Sequence, residues 1–135
     1  MGNPISPELT LGTIAELLVQ ASLLQYDVQA APPLKDSGND LIAIRGPVIR
    51  AIQIKATKST RYSAPNKKKR YDILAAVQMR GEGHKIHFGQ CEIFLLEKKM
   101  LPELPRAFQL LPDEYLLCAA RIDALFPRNR IGPGA

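Results

Sequence analysis

The stretch from Asp36 to Lys58 constrains this chain more than any other, because it reads as two strands folded back on each other at Gly46-Pro47. Leu41 to Arg45 and Val48 to Lys55 are rich in Ile and Val, and a two-residue link containing glycine is a strong hairpin signal. With Arg45 opposite Val48, counting outward pairs Ile44 with Ile49, Ile42 with Ala51, and Asp40 with Gln53. Side chains alternate along a strand, so one face is expected to carry Ile42, Ile44, Ile49 and Ala51 and, at its far end, Asp40, Gln53 and Lys55. Opposed Cβ atoms lie roughly 4.5–5.5 Å apart and Lys55 stands about 6.6 Å beyond Gln53, so one small site can hold an acid, an amide and an ammonium. The same trio is ordinary at a hairpin end that frays into water, and a bulge would shift the register.

The chain has 135 residues, 46% hydrophobic and 23% charged, which fits one globular domain over residues 1–126. A Pro/Gly-rich tail over 127–135 is expected to be flexible. Lys plus Arg outnumber Asp plus Glu by 18 to 13, and the net charge of +5 leans toward an anionic partner. Two cysteines, both in apolar runs, exclude a disulfide framework and suggest a cytoplasmic setting. No apolar run approaches the ~20 residues of a membrane helix, and no basic-then-apolar leader opens the chain, so membrane contact is not expected. Met1 to Ser6 fits the bare pattern for myristoylation at Gly2, without a nearby polybasic partner signal. His84, His87 and Cys91 lack the second cluster that a tetrahedral zinc site needs. The sequence also lacks a phosphate-cradling glycine loop, a nucleophile elbow and an HExxH pair, which removes NTPase, serine-hydrolase and zincin readings.

Ser6-Pro7-Glu8 starts a helix expected to run to about Gln25, with Leu11, Ile14, Ala15, Leu18 and Ala21 as its buried stripe and Leu17 and Leu24 widening it. Glu16 is its one acid beyond the first turn, set among apolar neighbours; an exposed helical glutamate is the plain alternative. Gly12, costly in a helix, suggests close approach of another backbone. Tyr26 to Ala31 reads as a first strand. Residues 56–70 carry Lys58, Arg61, Lys67, Lys68, Lys69 and Arg70 without an acid, as expected of a loop that binds phosphates, of a solvated loop, or of a nuclear-import-like signal. Tyr71 to Met79 is apolar and leans toward strand, and Ile86 to Glu97 gives another strand region. Pro112-Asp113-Glu114 is expected to start a last helix with Tyr115, Cys118, Ala119, Ile122, Leu125 and Phe126 on one face.

Glu16 on the first helix, Asp40 at a strand start and Gln53-Ile54-Lys55 on the next strand together resemble the PD-(D/E)XK nuclease superfamily over roughly the first half of the chain. The likeness is greatest to its QxK variants, which include small intron-encoded homing endonucleases. It implies an α/β, restriction-endonuclease-like core: an N-terminal helix, a mixed β-sheet (αβββ, then ββ or αβ) and a C-terminal helix. It also implies a Mg²⁺-dependent endodeoxyribonuclease, Mn²⁺ being a possible substitute. Asp40, Glu16, the Gln53 side-chain oxygen and the Ile54 carbonyl would hold the ion, and Lys55 would complete a catalytic set with Glu16, Asp40 and Gln53. Lys58, Arg61 and Lys67 to Arg70 would hold the backbone of double-stranded DNA. Cutting both strands calls for a homodimer or larger homo-oligomer, with the C-terminal helix as candidate contact. The chain departs from the family in three places. Asn39 stands where a proline often precedes the acid, Gln53 brings an acceptor oxygen without charge, and residues 56–79 show no clean stripe for the usual crossover helix. Two further readings stay open: a non-catalytic nucleic-acid-binding module on the same scaffold, and an oligomeric scaffold protein.

Overall fold

The computed structural model describes residues 6–35, 39–83 and 85–128. Helix α1 (Pro7–Leu24) begins where the sequence places it: the Ser6 hydroxyl accepts the Leu9 N–H at 3.1 Å and Pro7 opens the first turn. It ends through Asp27, which takes a left-handed conformation (φ +63) while the Val28 N–H returns to the Leu23 carbonyl at 3.2 Å. Seven strands follow: β1 (Gln29–Ala31), β2 (Leu41–Arg45), β3 (Val48–Thr57), β4 (Ile73–Gln78), β5 (Gly81–Glu82), β6 (Lys85–Ile86) and β7 (Glu92–Glu97). Helix α2 (Ala119–Leu125) closes the described chain.

Five strands form one sheet in the order β1-β2-β3-β4-β7, with β3 and β4 parallel and the other neighbours antiparallel. The hairpin register is the one counted from the turn, Arg45 with Val48, Ile44 with Ile49 and Ile42 with Ala51. Gly46 takes φ +59 at the first central position, the geometry that matches a two-residue link to the strand twist. Pairing with β2 stops at Ile52, whereas β3 runs on to Thr57. Residues 53–57 therefore present an edge beyond the end of β2. Every residue of β4 is buried, as its near-continuous apolar run requires of a central strand.

Both helices cover one face of the sheet: Ala15, Val19 and Leu23 of α1 and Ile122 and Leu125 of α2 join Phe126 in a core with Leu41, Ile52, Ala75 and Leu95. Irregular segments cover the other face, where Tyr62, Tyr71, Leu101, Phe108 and Leu111 pack on Leu74, Ala76, Phe94 and Leu96. The crossover between β3 and β4 contains no helix, as the missing stripe suggested. It is held by the Tyr62 N–H on the Arg106 carbonyl at 3.1 Å, the Phe108 N–H on Thr60 at 3.0 Å and the Tyr62 hydroxyl on Pro105 at 2.8 Å.

Packing corrects several sequence expectations. The buried side of the hairpin is Leu41, Ala43 and Ile52, all fully buried, whereas Ile44 and Ile49 are 41% and 59% exposed. The helices lie against the former face, and the cover on the latter is centred on β4 and β7. On α1 the fully buried line is Ala15, Val19 and Leu23; Ala21 faces out and Leu17 and Leu24 are each 60% exposed. A helix apolar on so many sides leaves the choice of face to its tertiary partners. The last helix starts at Ala119, later than expected, because Leu116 bridges to Phe94 and the Leu117 N–H bonds the Ile93 carbonyl at 2.9 Å, drawing the chain along β7 first. Residues 88–90 form a 3₁₀ turn, so the strand expected from Ile86 begins at Glu92. Arg128, placed in the flexible tail by its sequence, pairs with Asp27 at 2.9 Å. The myristoylation pattern at Gly2, His84 and residues 129–135 lie outside the described residues. Among the described residues no helix is long and apolar enough to cross a membrane.

Candidate active site

Asp40 stands one residue before β2, where its N–H bonds the Ile52 carbonyl at 2.9 Å and fixes its backbone. Its carboxylate turns to the edge that β3 presents beyond β2. Oδ2 accepts the Ile54 N–H at 2.8 Å and the Gln53 Nε2 at 2.9 Å, taking the place of the next residue of a strand. The pairing of Asp40 with Gln53 expected from the hairpin count is thus a side-chain contact. Gln53 is 5% exposed, and its Oε1 is buried with no hydrogen-bond partner. A buried acceptor without a partner costs about 1–3 kcal/mol, and such a group points to a ligand or ion. The N–H and C=O of one strand residue project to the same side, so the Ile54 carbonyl emerges on the edge that Asp40 holds.

Glu16 approaches from α1, and it shares a cleft of about 300 Å³ with Gly12, Asp40, Gln53 and Ile54. Partial burial, and secondarily the charge of Asp40, raise its pKa above the ordinary glutamate value. Gly12 has open space around it, with no atom within 4 Å of a Cβ built there, so it marks no close backbone approach. It lies one helical turn before Glu16 on the same face and keeps the mouth of the cleft clear.

Lys55 shares the Gln53 face of β3, opposite Ala76, and is half-buried; it stands beside the cleft and does not line it. The basic residues are divided. The Lys58 ammonium donates to the Gly83 carbonyl, near the first turns of α1, and Arg61 bridges through its backbone to Ala107. Because β3 and β4 are parallel, the crossover must run back along their length, carrying Lys67 to Arg70 to the opposite end of the sheet. There the Lys98 ammonium donates to the Lys69 carbonyl at 2.5 Å, and Asn39 Nδ2 donates to the Arg70 carbonyl at 3.3 Å. Asn39, visible in the sequence only as a missing proline, ties the basic turn to the chain at Asp40.

No group of three or more His, Cys, Asp or Glu suited to a metal occurs among the described residues. The residues lining the cleft offer two carboxylates, an amide and a strand-edge carbonyl, an all-oxygen set that suits a hard divalent cation.

No protein-family model matches this sequence, and no curated protein is similar to it in sequence. Among solved structures, a bacterial homing endonuclease, I-Ssp6803I, matches with a TM-score of 0.57 over 93% of this chain and 93% of its own, at 17% identity. The fold is similar to that of this endonuclease. The likeness is one of backbone architecture: an N-terminal helix, a five-stranded mixed sheet and a C-terminal helix.

Proposed function

We propose that this chain is a Mg²⁺-dependent DNA endonuclease with a PD-(D/E)XK-type site of the QxK form. The observation that carries the reading is the buried Gln53 Oε1 without a partner, beside an Asp40 carboxylate anchored at 2.8 and 2.9 Å and a Glu16 whose charge that carboxylate opposes. Glu16, Asp40, Gln53 Oε1 and the Ile54 carbonyl would hold the ion, Mn²⁺ serving as a substitute. When bound, it supplies Lewis acidity at the scissile phosphate and makes nearby water more acidic. Asp40 fixes the edge of β3 and contributes one charge, and Glu16 contributes the second. A phosphodiester seated across residues 53–57 meets these carboxylates from the α1 side and the Lys55 ammonium from the opposite face of β3. Lys55 then stabilises the negative charge that grows on the phosphoryl oxygens. Lys67 to Arg70, held beside Asp40 through Asn39, grip the backbone of double-stranded DNA, with Lys58 and Arg61 further along it.

Cleavage of both strands calls for a second copy of the chain. The outward residues Ala119, Ala120 and Ala124 of α2 are small, whereas Leu9, Leu17 and Leu24 of α1 are each 60% exposed, so α1 offers a larger apolar surface for that contact than the C-terminal helix does. Plasmid nicking tests the activity: the wild type relaxes supercoiled DNA with Mg²⁺ or Mn²⁺ and Asp40→Ala does not. Metal-independent binding without cleavage by the wild type would instead assign a non-catalytic binding module, and absence of binding a scaffold protein.

Glu16 links metal binding to pH. A carboxyl with a raised folded-state pKa makes the native state bind protons more readily than the unfolded chain. Metal-free stability therefore falls as pH rises above the ordinary glutamate value toward the folded one, while Mg²⁺ binding needs the carboxylates charged and weakens as pH falls. The rise in melting temperature produced by Mg²⁺ at pH 7.5 is expected to shrink toward pH 5. Glu16→Gln should lose most of that rise without lowering the metal-free melting temperature. An equal rise at both pH values would refute the assignment of Glu16.

A further inference from the structure

A second cleft of about 820 Å³ opens between the basic turn, α2 and the segment after β7, and it shares no residue with the candidate active site. Its walls bring Arg50, Lys67, Lys98, Lys99 and Arg106 together from segments far apart in sequence, against two carboxylates, Asp72 and Glu97. Lys99 pairs with Glu97 at 3.4 Å, and three of the other cations are held by neutral partners. Arg50 Nε donates to the Leu125 carbonyl at 3.3 Å, and Arg106 Nη1 donates to the Tyr62 hydroxyl and the Leu101 carbonyl, both at 3.3 Å. The Lys98 ammonium bonds the Lys69 carbonyl at 2.5 Å and lies 4.7 Å from the centre of the Tyr71 ring. Such contacts position a cation while leaving its charge uncompensated, which is the arrangement an anion site needs.

The rest of the lining is apolar, its exposed part chiefly Pro102, Ala64 and Ala124 over the buried Pro65, Ile73 and Leu101. A bare phosphate would satisfy the cations and leave these walls unmatched. A nucleotide answers both, with its phosphate on the cations and its flat base against Pro102 and the neighbouring alanines. Asp72 spends Oδ2 on the Ala51 N–H at 2.8 Å, so its other oxygen can accept from an exocyclic amine.

We infer that this cleft binds a single nucleotide. The choice of ligand rests on the proposed nuclease function, since Lys67 belongs both to the basic turn and to the cleft wall. The nucleotide comes either free from solution or as an unpaired residue of a DNA strand.

Calorimetric titration in EDTA with thymidine monophosphate, deoxyadenosine monophosphate, a single-stranded thymidine trinucleotide and inorganic phosphate tests this on the full chain. At least one nucleotide ligand is expected to bind about tenfold or more tightly than inorganic phosphate. Ala124→Trp, which fills the cleft from an exposed position on α2, and Lys99→Glu should each weaken nucleotide binding about tenfold. Either variant suffices if the other fails to fold. Binding of the trinucleotide alone identifies a nucleotide within a strand as the occupant, and equal binding of monophosphate and trinucleotide identifies a free one. The inference is overturned if no nucleotide binds, if inorganic phosphate binds as tightly, or if a folded variant binds like the wild type. Chelation removes cleavage from the readout, so loss of this inference and loss of the nuclease assignment are separate results.

Discussion

Lys55→Met is expected to slow phosphodiester cleavage by roughly 10²–10³-fold, the usual effect of removing one group aimed at transition-state charge, while DNA affinity and melting temperature stay near wild type. The side chain is half-buried on β3 opposite Ala76. No ion pair or hydrogen bond to another described residue holds its ammonium. Methionine keeps most of the apolar stem and covers the same neighbours, so the substitution removes the charge and little else. Single-turnover cleavage at saturating enzyme, measured beside filter binding, separates the two contributions. An unchanged single-turnover rate would remove Lys55 from the chemistry. Asp40→Ala offers a contrast, because it also strips the acceptor from the Ile54 N–H and from Gln53 Nε2 and should lower stability as well as abolish cleavage.

The meeting of Asp40 with Gln53 was legible because it depends on local rules: a turn that fixes the register, and a side-chain period of two. Ser6 and Pro7 fixed the start of α1 in the same way, and with it the reach of Glu16. The faces were not legible. Both sides of the hairpin and most sides of α1 are apolar, so burial was decided by what covers them. The helices took one face, while residues 58–72 and the chain after β7, joined by contacts such as Tyr62 with Arg106 that no local pattern encodes, cover β4 and β7 on the other and leave Ile44 and Ile49 exposed. The run of basic residues misled for a related reason. It is continuous in sequence, but a parallel β3–β4 pair sends its two ends to opposite ends of the sheet. The cations of the second cleft come from four separate segments, and the neutral anchors of Arg50, Lys98 and Arg106 leave no charge pattern in the sequence to find.

Phe126→Ala is expected to destabilise the fold by about 3–5 kcal/mol, the range for truncating a fully buried aromatic residue. Phe126 has no exposed surface and heads the fully buried side chains by size, although it sits just past the end of the short α2. It helps fill the core on the helix side of the sheet, with Ala15 and Val19 of α1. Its carbonyl also accepts Arg45 Nη1 at 3.0 Å, while the same nitrogen pairs with Asp123 at 2.7 Å. Alanine keeps that carbonyl, so the expected loss is one of packing. With typical domains stable by only ~5–15 kcal/mol, it should shift the urea midpoint strongly. Arg45→Met should cost much less, because Arg45 is 8% exposed, leaves its Nε without a partner, and draws its ion pair from an Asp123 that is 65% exposed. Removing one partner of a buried pair is costly when the other is left buried and charged, and here the partner left behind, Asp123, stands largely in water. If the two substitutions had comparable effects, the tie between hairpin and C-terminal helix would be polar, and Phe126 would not be its anchor.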